Sequence, residues 1–197
     1  KTNKLPIGIL VLFDTIILAT SLMSIASRNW KVLGLSLLAI LCLTFPFIIT
    51  SIANRKNIVL PSNFQFVTIL FIFAAQYLGE IKGFYIKLWW WDLLLHVVFG
   101  AYTVIISLHL IQGVFKQDPK TTRQRFILFT VIFAFSSTIT LGTLWEIFEF
   151  VTDYLFNTGL VKGGLDDTST DLLAKISAAL ITSIIYYYRF KSSPIKF

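Results

Sequence analysis

The sequence predicts an all-α, polytopic membrane protein: a bundle of about six transmembrane helices with both termini in the cytoplasm. Three observations carry this reading. The 197 residues are 56% hydrophobic and only 14% charged, against roughly 25% charged in soluble domains. Apolar runs of the roughly 20 residues needed to cross a bilayer recur along the chain. The basic residues divide unevenly between alternate connections.

The six runs cover about 5–26, 31–53, 64–81, 90–114, 126–152 and 168–190. They are continuously apolar rather than alternating, which favours helices over a barrel, because a helix satisfies its own backbone hydrogen bonds in lipid. The first run follows Lys1 and Lys4, as the apolar core of a signal peptide would. No small-residue cleavage site and soluble domain follow it, so it is expected to remain as the first span. Asn54, Arg55, Lys56, Asn57, Pro61, Ser62 and Asn63 give the 54–63 connection a turn composition. The 115–125 connection is polar and basic. The 154–167 connection holds Asn157, Gly159, Gly163 and Gly164 before Asp166-Asp167-Thr168 and could cover a site. Asp167 or Thr168 is expected to cap the last helix by accepting an orphan backbone N–H. No repeat, low-complexity tract or soluble segment interrupts the pattern, so residues 1–197 read as a single transmembrane domain.

The net charge of +7 invites comparison with nucleic-acid binders, but its distribution argues against one. With the N-terminus inside, the inner segments hold eleven cations: Lys1, Lys4, Arg55, Lys56, Lys116, Lys120, Arg123, Arg125, Arg189, Lys191 and Lys196. The outer connections hold five: Arg28, Lys31, Lys82, Lys87 and Lys162. The positive-inside rule then fixes the orientation, and clusters such as Lys116 to Arg125 suit contacts with anionic lipid. The aromatic residues agree. Trp30, Trp89, Trp90, Trp91 and Trp145 fall at outer helix ends, and Tyr186, Tyr187 and Tyr188 at the inner end of the last helix. The single Cys42 cannot form an internal disulfide and reads as a small packing residue.

Eight of the ten carboxylates crowd the ends of helices that this topology gathers at the outer face: Glu80, Asp92, Glu146, Glu149, Asp153, Asp166, Asp167 and Asp171. Carboxylates near lipid are costly and usually face a cavity, paired with cations or with each other. In Asp92-x-x-x-His96 the two side chains lie one turn apart on one helix face, as two ligands of one cation would. Glu146, Glu149 and Asp153 are spaced three and then four and form one stripe. Asp167 and Asp171 repeat the four-residue spacing, and Asp166 points elsewhere. Glu80 ends the third helix, and with Asp153 it is a peripheral candidate.

A bound divalent cation is the simplest neutraliser of such a cluster. Carboxylates with one imidazole suit Mg²⁺, Mn²⁺, Fe²⁺ or Zn²⁺, and an oxygen-only subset suits Ca²⁺. The expected metal residues are Asp92, His96, Glu146, Glu149, Asp167 and Asp171, with His96 or Glu149 as general base. The bland alternatives are an interfacial acidic face, an Asp92 that favours its helix N-terminus, and a site for protons or a polar substrate without metal. Two charges remain inside helices. Asp14 and Lys175 could neutralise one another, or Lys175 could hold an anionic substrate group as a point charge. His109, on another face, is left outside the site.

The residues Trp91-Asp92-x-x-x-His96-x-x-x-Gly100, Trp145-Glu146-x-x-Glu149 and Asp167-Thr168-x-x-Asp171 resemble the YjdF-like bacterial membrane proteins over roughly 64–190. More remotely, the order of Asp/His, Glu and Asp is similar to the VanZ-like proteins linked to glycopeptide tolerance. Those tend to carry Asp-Lys before their His and Asn four residues after their last Asp, where this chain has Leu93 and Lys175. The resemblance implies a multi-pass protein of the bacterial cytoplasmic membrane with shared site residues at Asp92, His96, Glu146, Glu149, Asp167 and Asp171.

Three functions compete. The leading one is a metal-dependent hydrolase or transferase acting at the outer leaflet on a lipid or lipid-linked substrate, with membrane lipids as its surroundings. No G-x-S-x-G, zincin or Cys/His motif is present, so a metal rather than a side-chain nucleophile would carry the chemistry. The second is a divalent-cation or proton-coupled transporter. Its acids sit at one end rather than through the membrane, and no inverted repeat is visible. The third is a non-catalytic lipid- or partner-binding protein.

Overall fold

The computed structural model describes residues 4–114, 121–156, 159, 161 and 164–192. Among the described residues the regular structure is entirely helical. The first two spans are α1 (Lys4–Ala26) and α2 (Trp30–Arg55). The third begins as α3 (Phe64–Ile72) and continues as a π-helix, Phe73–Ile81. After a four-residue helix, α4 (Phe84–Lys87), come α5 (Trp91–Val114), α6 (Arg123–Phe156) and α7 (Leu165–Ser192). Among the described residues, six helices, Phe64–Ile81 counted as one, are long and apolar enough to cross a membrane.

The chain forms two compact units, Lys1–Asp92 and Leu93–Phe197. The boundary falls in the first turn of α5.

In the first unit, Ile17, Ala39, Leu43, Ile69 and Tyr77 form the core. Phe13 stacks on Phe73 with ring centroids 3.8 Å apart, and Thr20 shares a hydrogen bond with the Tyr77 hydroxyl. Hydroxyls on α1 bond back to their own helix, as Thr15 does to the Val11 carbonyl and Ser21 to that of Ile17. That removes the cost of an unsatisfied polar group in hydrocarbon. Asn29 caps α2 by accepting from the Val32 N–H. Gly83 takes a positive φ of 72° to turn the chain out of the π-helix into α4.

In the second unit, α5, α6 and α7 meet along a seam. Val104, Leu108, Ile111, Ile127, Val131, Ala134 and Ala179 fill one half of it. The other half is polar and is described below. Leu, Ile and Phe side chains cover the outside, including Leu144, Phe148 and Ile181, each about half exposed or more. Bare apolar surface of this kind is what lipid requires. With 34 residues and about 1.5 Å rise per residue, α6 is longer than the roughly 30 Å hydrocarbon core.

The observed helices are longer than expected at several ends. Most consequential is α7, which starts at Leu165. Asp167 and Thr168 therefore lie inside its first turn and do not cap it. The preceding residue is Gly164, with φ of 65°, and its carbonyl accepts the Thr168 N–H at 3.2 Å. Lys1, Lys116, Lys120, Asn157, Lys162, Gly163 and Lys196 lie outside the described residues.

Candidate metal centre

Helix direction explains why distant acids converge. Asp92 and His96 lie at the start of α5, Glu146 and Glu149 towards the end of α6, and Asp171 near the start of α7. Because α6 runs back alongside the other two, these positions share one end of the seam.

One ligand atom each from Asp92, His96 and Asp171 lies within 4.8 Å of the others. The His96 Nε2 is 3.2 Å from the Asp171 Oδ2. His96 and Asp171 are 8% and 3% exposed, so water does little to stabilise them. Two carboxylates and one imidazole form a hard, oxygen-rich donor set that fits a divalent cation. Two negative charges also balance a dication, which matters where the surroundings screen poorly.

One turn along the seam lies a second charged contact. The Lys175 Nζ donates to the Glu146 Oε1 as a buried ion pair. Both residues are buried, Lys175 at 2% exposure. Two glycines make room for it. A Cβ on Gly100 would stand 2.4 Å from the Lys175 carbonyl oxygen, so α5 and α7 approach there at backbone distance. A Cβ on Gly142 would stand 3.2 Å from the Lys175 Cδ. The lysine stem runs through this slot and its amine meets Glu146, one turn beyond Gly142 on α6. The Phe99 ring lies 5.8 Å from the same amine, within cation–π range.

Glu146 is a partner that neither reading of Lys175, as the counter-ion of Asp14 or as a holder of an anionic substrate group, had named. The slot between Gly100 and Gly142 aims the amine at Glu146. In the first unit, the buried Asp14 Oδ1 has no hydrogen-bond partner among the described residues.

The remaining expected residues divide as follows. Glu149 is half-buried, hydrogen-bonds the Trp145 side chain, and lies within electrostatic reach of Glu146, His96 and Lys175. The Asp153 Oδ2 accepts the Val161 N–H at 2.9 Å and so ties Val161 to α6. Asp167 is partly buried in the first turn of α7, and Asp166 is exposed beside it. Glu80 sits in the π-helix of the first unit. His109 lies beyond the polar end, its Nδ1 donating to the Ile105 carbonyl. Sequence reasoning missed the slot. Its signal was present: Gly100 follows His96 by four, and Gly142 precedes Glu146 by four.

Fold and site together define a polytopic membrane protein with a buried acid–histidine cluster at one end of a helical seam. The chain belongs to the DUF2238 family of predicted membrane proteins, whose family model matches residues 8–192. An uncharacterized protein of Thermotoga maritima is 26% identical over 145 residues, covering 72% of this chain and 69% of the relative. The family match runs through both compact units. No solved structure matches the chain.

Proposed function

We propose that this protein is a metal-dependent hydrolase or transferase of the bacterial cytoplasmic membrane, acting on a lipid or lipid-linked substrate at the extracytoplasmic face. The observation that carries the proposal is the convergence of Asp92, His96 and Asp171 ligand atoms within 4.8 Å. Three protein ligands are what catalytic metal sites use, because they leave coordination positions open for water and substrate. A bound divalent ion would polarise a phosphoryl or acyl oxygen and lower the pKa of water. Zn²⁺, Mn²⁺, Mg²⁺ and Fe²⁺ suit the mixed donor set better than Ca²⁺, which favours oxygen alone.

The chain's own residues have separate roles in this reading. Glu149, beside the cluster and steadied by Trp145, is the general base. Asp167, one turn before Asp171, is a further candidate ligand. Glu146, whose Oε1 accepts from Lys175 and which stands outside the group of three ligand atoms, serves the site through Lys175. Lys175, buried and paired with Glu146, first of all holds α6 and α7 at the spacing the cluster needs.

The outer-face assignment rests on the eleven-to-five division of cations with both termini inside. The YjdF-like motifs and the remoter VanZ-like order support a cell-envelope setting.

The test is turnover of a bacterial polar lipid extract by purified protein, followed by phosphorus NMR. Product should form with divalent metal and stop with chelator. It should fall by about 10²-fold or more in Glu149→Gln, the usual scale for losing a general base. Turnover that ignores chelator and survives Asp92→Asn with Asp171→Asn would contradict the proposal.

A further inference from the structure

At the opposite end of the same three-helix unit, α6 and α7 enclose a groove of about 320 Å³. Its floor includes Val131 and Ser183, 7% and 4% exposed. Leu128, Ile132, Leu180 and Ile184 form its rims, each about half exposed. The Ser183 hydroxyl is buried and has no hydrogen-bond partner among the described residues. Ser192, at the end of α7, bonds back to the Tyr188 and Arg189 carbonyls instead. Ser183 therefore lines an apolar groove and carries a buried hydroxyl whose hydrogen-bonding capacity is unspent. Leaving such a group unmatched costs on the order of 1–3 kcal/mol, which a ligand oxygen would recover.

Charge at the mouth selects the ligand. Along α6, Arg125, Leu128, Ile132 and Phe135 follow helical spacing on one face. Along α7, Lys191, Tyr187, Ile184 and Leu180 do the same. Each wall of the groove thus ends in a cation one turn beyond its apolar part. Arg123 and Arg189 stand at the same end, and the sequence has no acid in 121–135 or 180–192. Arg123 is engaged in holding the helices together, donating to the Phe190 carbonyl at 3.0 Å.

We infer that this groove is a specific site for one anionic phospholipid of the leaflet at that end. An acyl chain lies between α6 and α7, the Ser183 hydroxyl donates to a polar oxygen of the lipid, and Arg125 and Lys191 hold the headgroup phosphate. The inference stands apart from the metal centre, since no residue is shared between them. An apolar chain alone would not distinguish this groove from the rest of the lipid-facing surface. The cation pair and the unspent hydroxyl do.

The experiment is native mass spectrometry of the full chain in detergent, titrated with phosphatidylglycerol or with phosphatidylcholine of matched acyl chains. One phosphatidylglycerol should remain bound at activation energies that strip phosphatidylcholine. Arg125→Gln and Lys191→Gln should each weaken its binding roughly fivefold, from about 1 kcal/mol per cation near anionic lipid. Leu180→Trp, at an exposed rim position where folding tolerates bulk, should block the site. Helix content by circular dichroism confirms that each variant is folded. Equal retention of the two lipids, or unchanged binding in Leu180→Trp, would overturn the inference. So would a chain dimer that Leu180→Trp dissociates, since a second copy would then occupy the groove.

Discussion

Replacing Lys175 by Met removes the cation and keeps most of its stem volume in the slot between Gly100 and Gly142. The Glu146 carboxylate, 5% exposed, is then left without its partner. Breaking a buried pair from one side costs about 3–5 kcal/mol, while replacing both members with apolar groups of similar volume is often close to neutral. Loss of the Phe99 cation–π contact adds up to about 2 kcal/mol. Lys175→Met and Glu146→Leu should therefore each destabilise by at least about 3 kcal/mol, and the double variant should recover most of that loss. Reversible unfolding in mixed micelles of rising SDS fraction, followed by circular dichroism, measures the cycle. A double variant as unstable as the sum of its parents would show that the two residues are not coupled and would refute the account of the slot. The same variants separate structure from substrate binding. If the lysine also grips a phosphate, the stable double variant will still fail to bind a phosphate-bearing lipid.

The two glycines should respond differently. Gly100→Ala places a methyl against α7 backbone that cannot step aside, and overpacking of about 1–3 kcal/mol should outweigh the roughly 1 kcal/mol gain in helix propensity. Gly142→Ala meets side-chain atoms alone, the Lys175 stem and, at 3.9 Å, the edge of the Phe99 ring, and should cost less than Gly100→Ala; equal losses in both would contradict the backbone contact at Gly100. Acidification should weaken metal binding, because carboxylates and imidazole must be deprotonated to act as ligands. A metal-induced rise in melting temperature that persists unchanged from pH 7 to pH 4 would point away from these residues. A cysteine placed at Val161, in a Cys42→Ser background, should react with impermeant reagent from outside intact cells. Reaction only after permeabilisation would reverse the orientation.

The spans were legible because hydrophobic runs of membrane length have few other uses. Each observed span overlaps its expected one, and the differences lie at the ends, where capping chemistry decides. Asp167-Thr168 reads as a cap, yet Gly164 ends the turn three residues earlier and puts both residues inside α7. The pairing of helix faces was less legible. Four-residue spacing put Asp92 with His96 and Asp171 with Lys175, but spacing within a helix says nothing about which neighbour a side chain meets. The acids at 146 and 149 looked equivalent; a glycine on α6 gave Glu146 to Lys175 and left Glu149 beside Trp145. The groove near Ser183 gave no sequence signal, since a serine in a membrane helix usually bonds its own backbone.

The central claim is that Asp92, His96 and Asp171 hold one divalent ion. Elemental analysis of the purified full chain, after exchange into metal-free buffer and reloading with Zn²⁺ or Mn²⁺, tests it most directly. Wild type should retain one ion per chain and gain about 2.7 kcal/mol of stability at 100-fold excess over Kd. Asp92→Asn with Asp171→Asn, still helical by circular dichroism, should retain less than about a tenth of that metal and gain no stability, because two of its three ligands have lost their charge. Equal metal content and equal stabilisation in the two proteins would contradict the claim.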